Sequence, residues 1–80
     1  MITIQVKLFA TLRRYYPHLG VGEAMEVELP DSTTVGQLVE HLRLPADEVK
    51  IVFVNSTVRK RDHPLADGDE LGIFPAVGGG

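Results

Sequence analysis

An α+β fold is predicted by three features of the chain. Residues 2–8 and 25–29 alternate apolar and polar side chains, residues 34–42 place apolar side chains at helical spacing, and IVFV is an apolar run of strand length. Strands and helices in this mixed order fit one sheet with a helix packed across one of its faces.

Ile2, Ile4, Val6 and Leu8 share one face of the first strand, and Thr3, Gln5 and Lys7 the other. In FATLRRYY, the spacing of Phe9, Leu12 and Tyr16 predicts a short helix of about two turns, stopped by Pro17. The segment PHLGVG is a loop. Met25, Val27 and Leu29 form the inward side of a second strand, with Glu26 and Glu28 outward and Pro30-Asp31 turning the chain.

Val35, Leu38, Val39 and Leu42 make the apolar stripe of the main helix. Thr34 with Gln37 three residues on has the form of a capping box, and Pro45 predicts a helix end near Leu44. KIVFVN is apolar on both faces and fits a central strand; Asn55-Ser56 then turns into the short strand TVRK. RDHPLADGDE is a turn-rich loop in which Leu65 reaches the core and Gly68 supplies a positive φ, and LGIF is the last strand. This order predicts a β-grasp, the ubiquitin-like roll: a mixed sheet with its first and last strands parallel at the centre, one main helix across it and a short helix after strand one. The predicted division is a β-grasp domain at 1–74 and a flexible tail at 75–80.

Composition narrows the functional classes. At 80 residues with 44% hydrophobic and 24% charged content, the chain is one ordered domain with a modest core. It has no cysteine, which excludes disulfides, thiolate zinc sites and a cysteine nucleophile, and favours an intracellular, cytoplasmic setting. A formal net charge of −3 argues against nucleic acid as partner, and no apolar run approaches the roughly 20 residues that span a bilayer. His18, His41 and His63 fall in a loop, a helix and a turn without metal-ligand spacing, and ADGDE lacks the ligand pattern of a calcium loop, so no metal is expected. No nucleophile–base pair or phosphate-binding glycine loop is present, so the chain is not expected to catalyse a reaction unaided. Arg59, Lys60 and Arg61, with Arg13 and Arg14, could form a basic docking patch or a solvated strand end.

The remaining feature is IFPAVGGG at the carboxyl end. Together with FVNSTVRKRDHPLADGDEL, VKLFATLRR and STTVGQLVEHL, it resembles the small, sulfur-carrying subunit of molybdopterin synthase over essentially the whole chain. Gly79 and Gly80 match that family's terminal pair, and Phe74, Pro75 and Val77 its hydrophobic lead-in; Ala76 replaces a common second proline, and Gly78 is a third glycine.

The resemblance implies that the Gly80 carboxylate is adenylated by an E1-like enzyme using ATP, then converted to a thiocarboxylate with sulfur from a sulfurtransferase. It implies no permanently bound cofactor. The tail would then enter the large synthase subunit, where its sulfur passes to a pterin precursor of the molybdenum or tungsten cofactor. Carriers for thiazole or cysteine biosynthesis and ubiquitin-like protein modifiers are the alternatives.

The residue types suit that chemistry. An ionised main-chain carboxylate, with a reference pKa of about 3.3–3.7, is a poor electrophile until adenylation makes its acyl carbon attackable. Without Cβ atoms, Gly78, Gly79 and Gly80 can pass through a narrow channel, although ordering them costs entropy. Six extended residues from Pro75 reach roughly 20 Å, and Pro75 stiffens the base of this arm. Phe74 and Val77 are candidate interface anchors, with core packing the competing role for Phe74.

Overall fold

The computed structural model describes residues 1–76; Val77, Gly78, Gly79 and Gly80 lie outside the described residues. Five strands, β1 (Ile2–Leu8), β2 (Met25–Leu29), β3 (Val49–Val54), β4 (Thr57–Arg59) and β5 (Glu70–Pro75), form one sheet in the order β2-β1-β5-β3-β4. β1 and β5 are parallel, and the other pairings are antiparallel. Among the described residues the single α-helix, α1 (Val35–His41), and 3-10 helices at Ala10–Tyr15 and Ala46–Glu48 complete the elements. This is the expected β-grasp, with β5 running one residue further than the boundary at Phe74.

Period-two alternation turns Ile2, Ile4, Val6 and Leu8 of β1, Val27 and Leu29 of β2, and Leu71 and Ile73 of β5 into a common core with Val35, Leu38 and Val39 of α1. Burying each such side chain contributes about 1.5–3 kcal/mol.

The start of α1 leaves none of its first four amides without a partner. The Thr34 hydroxyl accepts from Gln37 N–H at 3.2 Å while the Gln37 side chain accepts from Thr34 N–H at 2.9 Å, completing the capping box. Val35 and Gly36 N–H donate to the carbonyls of His63 and Arg61, both at 2.9 Å, and Leu38 N–H donates to Thr34 O. The 61–65 loop therefore acts as part of the helix cap, and Leu65, held by its N–H to Thr33 O at 2.8 Å, is buried beneath it.

Three local expectations need correction. α1 ends at His41, earlier than Pro45 requires, because Arg43 takes a left-handed φ of 59°. Arg43 N–H then bonds to Glu40 O and Leu44 N–H to Val39 O, which is a Schellman ending with arginine in the usual glycine position.

The expected short helix is present at residues 10–15 as a 3-10 helix, but Phe9 does not share a stripe with Leu12. Ala10 at φ 52° redirects the chain so that Leu12 is fully buried while Phe9 stays on the other side of the sheet. β3, finally, is buried on one face; Ile51 is 39% exposed and Phe53 half-buried on the other.

The β3–β4 hairpin and the ADGDE turn are one hydrogen-bonded unit. Asn55 and Ser56 both have positive φ, 51° and 70°, as a two-residue type I′ loop requires. Asn55 donates through Nδ2 to Asp69 at 2.9 Å and accepts from Glu70 N–H at 3.0 Å, while Asp69 also accepts from Ala66 N–H at 2.8 Å. Gly68 supplies the expected positive φ, 87°.

Ser56→Gly is expected to stabilise the domain by up to about 1 kcal/mol, because relief of the left-handed φ outweighs the extra entropy glycine gives the unfolded chain. Asp69→Ala, which removes a buried carboxylate and both of its hydrogen bonds, is expected to cost about 1–3 kcal/mol. Urea denaturation of the two variants checks both signs.

Candidate functional site

α1 covers one face of the sheet and leaves the other open. The outward positions of β5 are Glu70, Gly72 and Phe74, and the register sets Phe74 beside Ile51 and Gly72 between Phe53 and Lys7. Val58 of β4 pairs with Phe53 and is 56% exposed, extending this apolar surface toward the sheet edge.

Three aromatic rings give the open face its relief. Phe9 and Phe74 stack with centroids 4.3 Å apart and planes within 1°, and Phe53 meets Phe74 edge-on at 5.5 Å and 71°. Phe9 N–H donates to Ile73 O at 3.1 Å, tying the ring to β5 just before that strand ends. Beside the rings runs a groove lined by Gln5, Lys7, Phe53 and Gly72. A contiguous apolar surface of this kind on a small domain is the ordinary mark of an interaction site.

The structure therefore puts Phe74 on the open face and not in the core. Pro75 is buried and pairs with Val49, and exposed Ala76 carries the chain beyond the strand. Val77, Gly78, Gly79 and Gly80 lie outside the described residues.

Phe9 and Phe53 were not anticipated as members of this surface. Phe9 falls on the outward parity of Thr3, Gln5 and Lys7, which was its sequence signal; the two-faced apolar character of IVFV was the signal for Phe53.

Three residues of the candidate basic patch, Arg13, Arg14 and Arg61, have intramolecular work. Arg14 donates to Tyr15 Oη at 3.0 Å and to Glu48 Oε1 at 2.8 Å, and Tyr15 Oη donates to Glu48 Oε2 at 2.8 Å. The bond to Tyr15, with the Glu48 carboxylate behind it, pushes the Arg14 pKa further up, so this guanidinium stays charged. Arg61 donates to the carbonyls of Ala46 and Val49, and Arg13 to that of Leu19. Arg14 and Arg61 thus secure the 46–49 segment from either side. Among the described residues no group of three or more histidine, cysteine, aspartate or glutamate side chains could hold a metal, and no helix is long and apolar enough to cross a membrane.

A mixed sheet in this order, with one helix across its covered face and a glycine-rich sequence following its central strand, defines a ubiquitin-like β-grasp protein. Residues 6–80 match the ThiS family, and the chain belongs to that family. It is 34% identical to the molybdopterin synthase sulfur carrier subunit of Escherichia coli over 96% of this chain and 99% of that one.

Among solved structures, a candidate molybdopterin converting factor subunit 1 from Pyrococcus furiosus superposes with a TM-score of 0.77 at 27% identity, covering 96% of this chain and all of the other. A chain from the complex of subunits 1 and 2 of the molybdopterin-converting factor of Helicobacter pylori shares the fold, with a TM-score of 0.63 at 17% identity over 99% of this chain and 100% of that one.

The two faces of the sheet should respond differently to truncation. Leu71→Ala, on the core side of β5, is expected to cost about 2–5 kcal/mol. Phe53→Ser on the open side should cost less, because its ring is already half in water. Chemical denaturation of the two variants under the same conditions makes the comparison.

Proposed function

We propose that this chain is a sulfur carrier in molybdenum or tungsten cofactor biosynthesis, acting as the small subunit of a molybdopterin synthase and catalysing nothing alone. The observation that carries the reading is the relation to a sulfur carrier subunit along 96% of the chain, together with the Gly79-Gly80 pair in this sequence. The geometry supports it: the strand leading toward those glycines is the central one, held by neighbours on both sides, and it borders an uncovered aromatic surface.

In this reading the Gly80 carboxylate attacks the α-phosphate of ATP on an E1-like enzyme, pyrophosphate leaves, and an acyl adenylate forms. A sulfur nucleophile supplied through a sulfurtransferase displaces AMP and leaves a thiocarboxylate on Gly80. Gly78 and Gly79 allow the end to enter the active sites of the activating enzyme and of the large subunit, where sulfur is delivered to the pterin precursor. Residues 75–80 serve as the arm, with buried Pro75 as its anchored base. Phe74, with Phe9 and Phe53, and Val77 on the arm provide the apolar anchors that hold the partner while the end reacts.

Intact mass spectrometry before and after incubation with ATP, a sulfur source and the host's E1-like enzyme tests the chemistry. The expected result is replacement of one oxygen by sulfur, mapped to Gly80, and its loss when Gly79 and Gly80 are deleted. An unchanged mass with an activating enzyme proven on another carrier would refute the carrier reading; conjugates on target lysines would identify a protein modifier instead. Phe74→Ala is expected to weaken binding of the large subunit by at least about 2 kcal/mol, roughly thirtyfold in Kd by calorimetry.

A further inference from the structure

Gly72 occupies the interior of the central strand, where glycine is ordinarily a poor choice: it weakens a strand by roughly 0.5–1 kcal/mol relative to alanine. Its backbone does not require glycine, since its φ is outside the left-handed region that Gly68 occupies. The constraint is spatial. A Cβ at position 72 would stand 3.2 Å from Phe9 Cε2 and 3.5 Å from Phe74 Cε1, the first closer than ordinary van der Waals contact. These are the two rings of the parallel stack.

We infer that Gly72 is a positioning residue for partner recognition: by withholding a side chain, it lets Phe9 lie flat beside Phe74 and fixes the contour a partner meets where the arm departs. The inference rests on the sulfur-carrier reading and deepens it.

Phe9 has little freedom to accommodate an added methyl group elsewhere. Its amide is bonded to Ile73 O, and the next residue, Ala10, is locked in a left-handed turn leading to fully buried Leu12. The ring must give by a few tenths of an ångström, and its stacking on Phe74 shifts with it. Position 72 thus acts through Phe9 and not through the reacting carboxylate, so it should alter recognition and leave the chemical step intact.

A double-mutant cycle with the full-length chain tests this. Gly72→Ala, Phe9→Ala and the double variant are compared with wild type for thermal stability, for the nuclear Overhauser contact between the Phe9 and Phe74 rings, for large-subunit affinity, and for KM and kcat with the activating enzyme. Gly72→Ala is expected to keep or raise the Tm yet weaken the ring contact, and to weaken large-subunit binding by about three- to tenfold, within the usual coupling between touching residues. KM should rise with kcat unchanged. Added to Phe9→Ala, it should weaken binding no further.

An equal loss of affinity in both backgrounds would overturn the inference, because Gly72 would then act without Phe9. So would an unchanged affinity with the ring displaced, or a ring contact that the substitution leaves unchanged. A wild-type chain that neither binds the large subunit nor gains sulfur refutes the functional reading beneath it, and the inference falls for that separate reason.

Discussion

The structure depends on β5 pairing with both of its neighbours. β1–β2 and β3–β4 are two antiparallel pairs with no strand contact between them, and β5 joins them, parallel to β1 and antiparallel to β3. Strands from opposite ends of the chain therefore share a ladder, with Gln5 opposite Glu70 and Leu8 opposite Ile73. A parallel partner requires the chain to return to the same end of the sheet, which gives the intervening segment, including α1, its crossing role. The covered face, the helix position and the open aromatic face all follow from that arrangement.

Small hydrogen-bonded devices hold the arrangement in register. Asn55 and Asp69 tie the β3–β4 turn to the start of β5, while Asp69 O accepts from Gln5 N–H at 2.9 Å and brings in β1. At the opposite end, Arg61 holds the carbonyl of Val49, the residue paired with Pro75. β5 is thus fastened where it enters the sheet and where it leaves. Its outward side chains gain fixed positions from a scaffold that spends none of its core on them.

Much of this was legible in the sequence, for reasons that are local. Alternation identified β1 and β2, the Thr34–Gln37 spacing announced the helix cap, and HPLADGDEL announced a turn that buries a leucine. The errors arose where two local signals competed or where the deciding force was tertiary. Phe9 satisfied both the period of the strand behind it and the spacing of a helix ahead, and Ala10, an alanine in a left-handed conformation, gave no warning of the break. Arg43 concealed the end of α1 in the same way. The Gly79-Gly80 end was recognisable as a motif, but the aromatic surface was not: Phe9, Phe53 and Phe74 come from three distant segments, and only the pairing of β1, β5 and β3 brings them together.

Placing the last strand at the centre also orders events during synthesis. The two flanking strand pairs can emerge from the ribosome and form locally, but neither can be joined to the other until β5 is free of the exit tunnel. Closing contacts between distant parts of a chain is the slow step in folds of this kind. The same late strand completes the sheet and leads into the glycine-rich sequence. A chain damaged in either flanking pair would lack a seat for β5, and with it the open aromatic face that β5 helps to build.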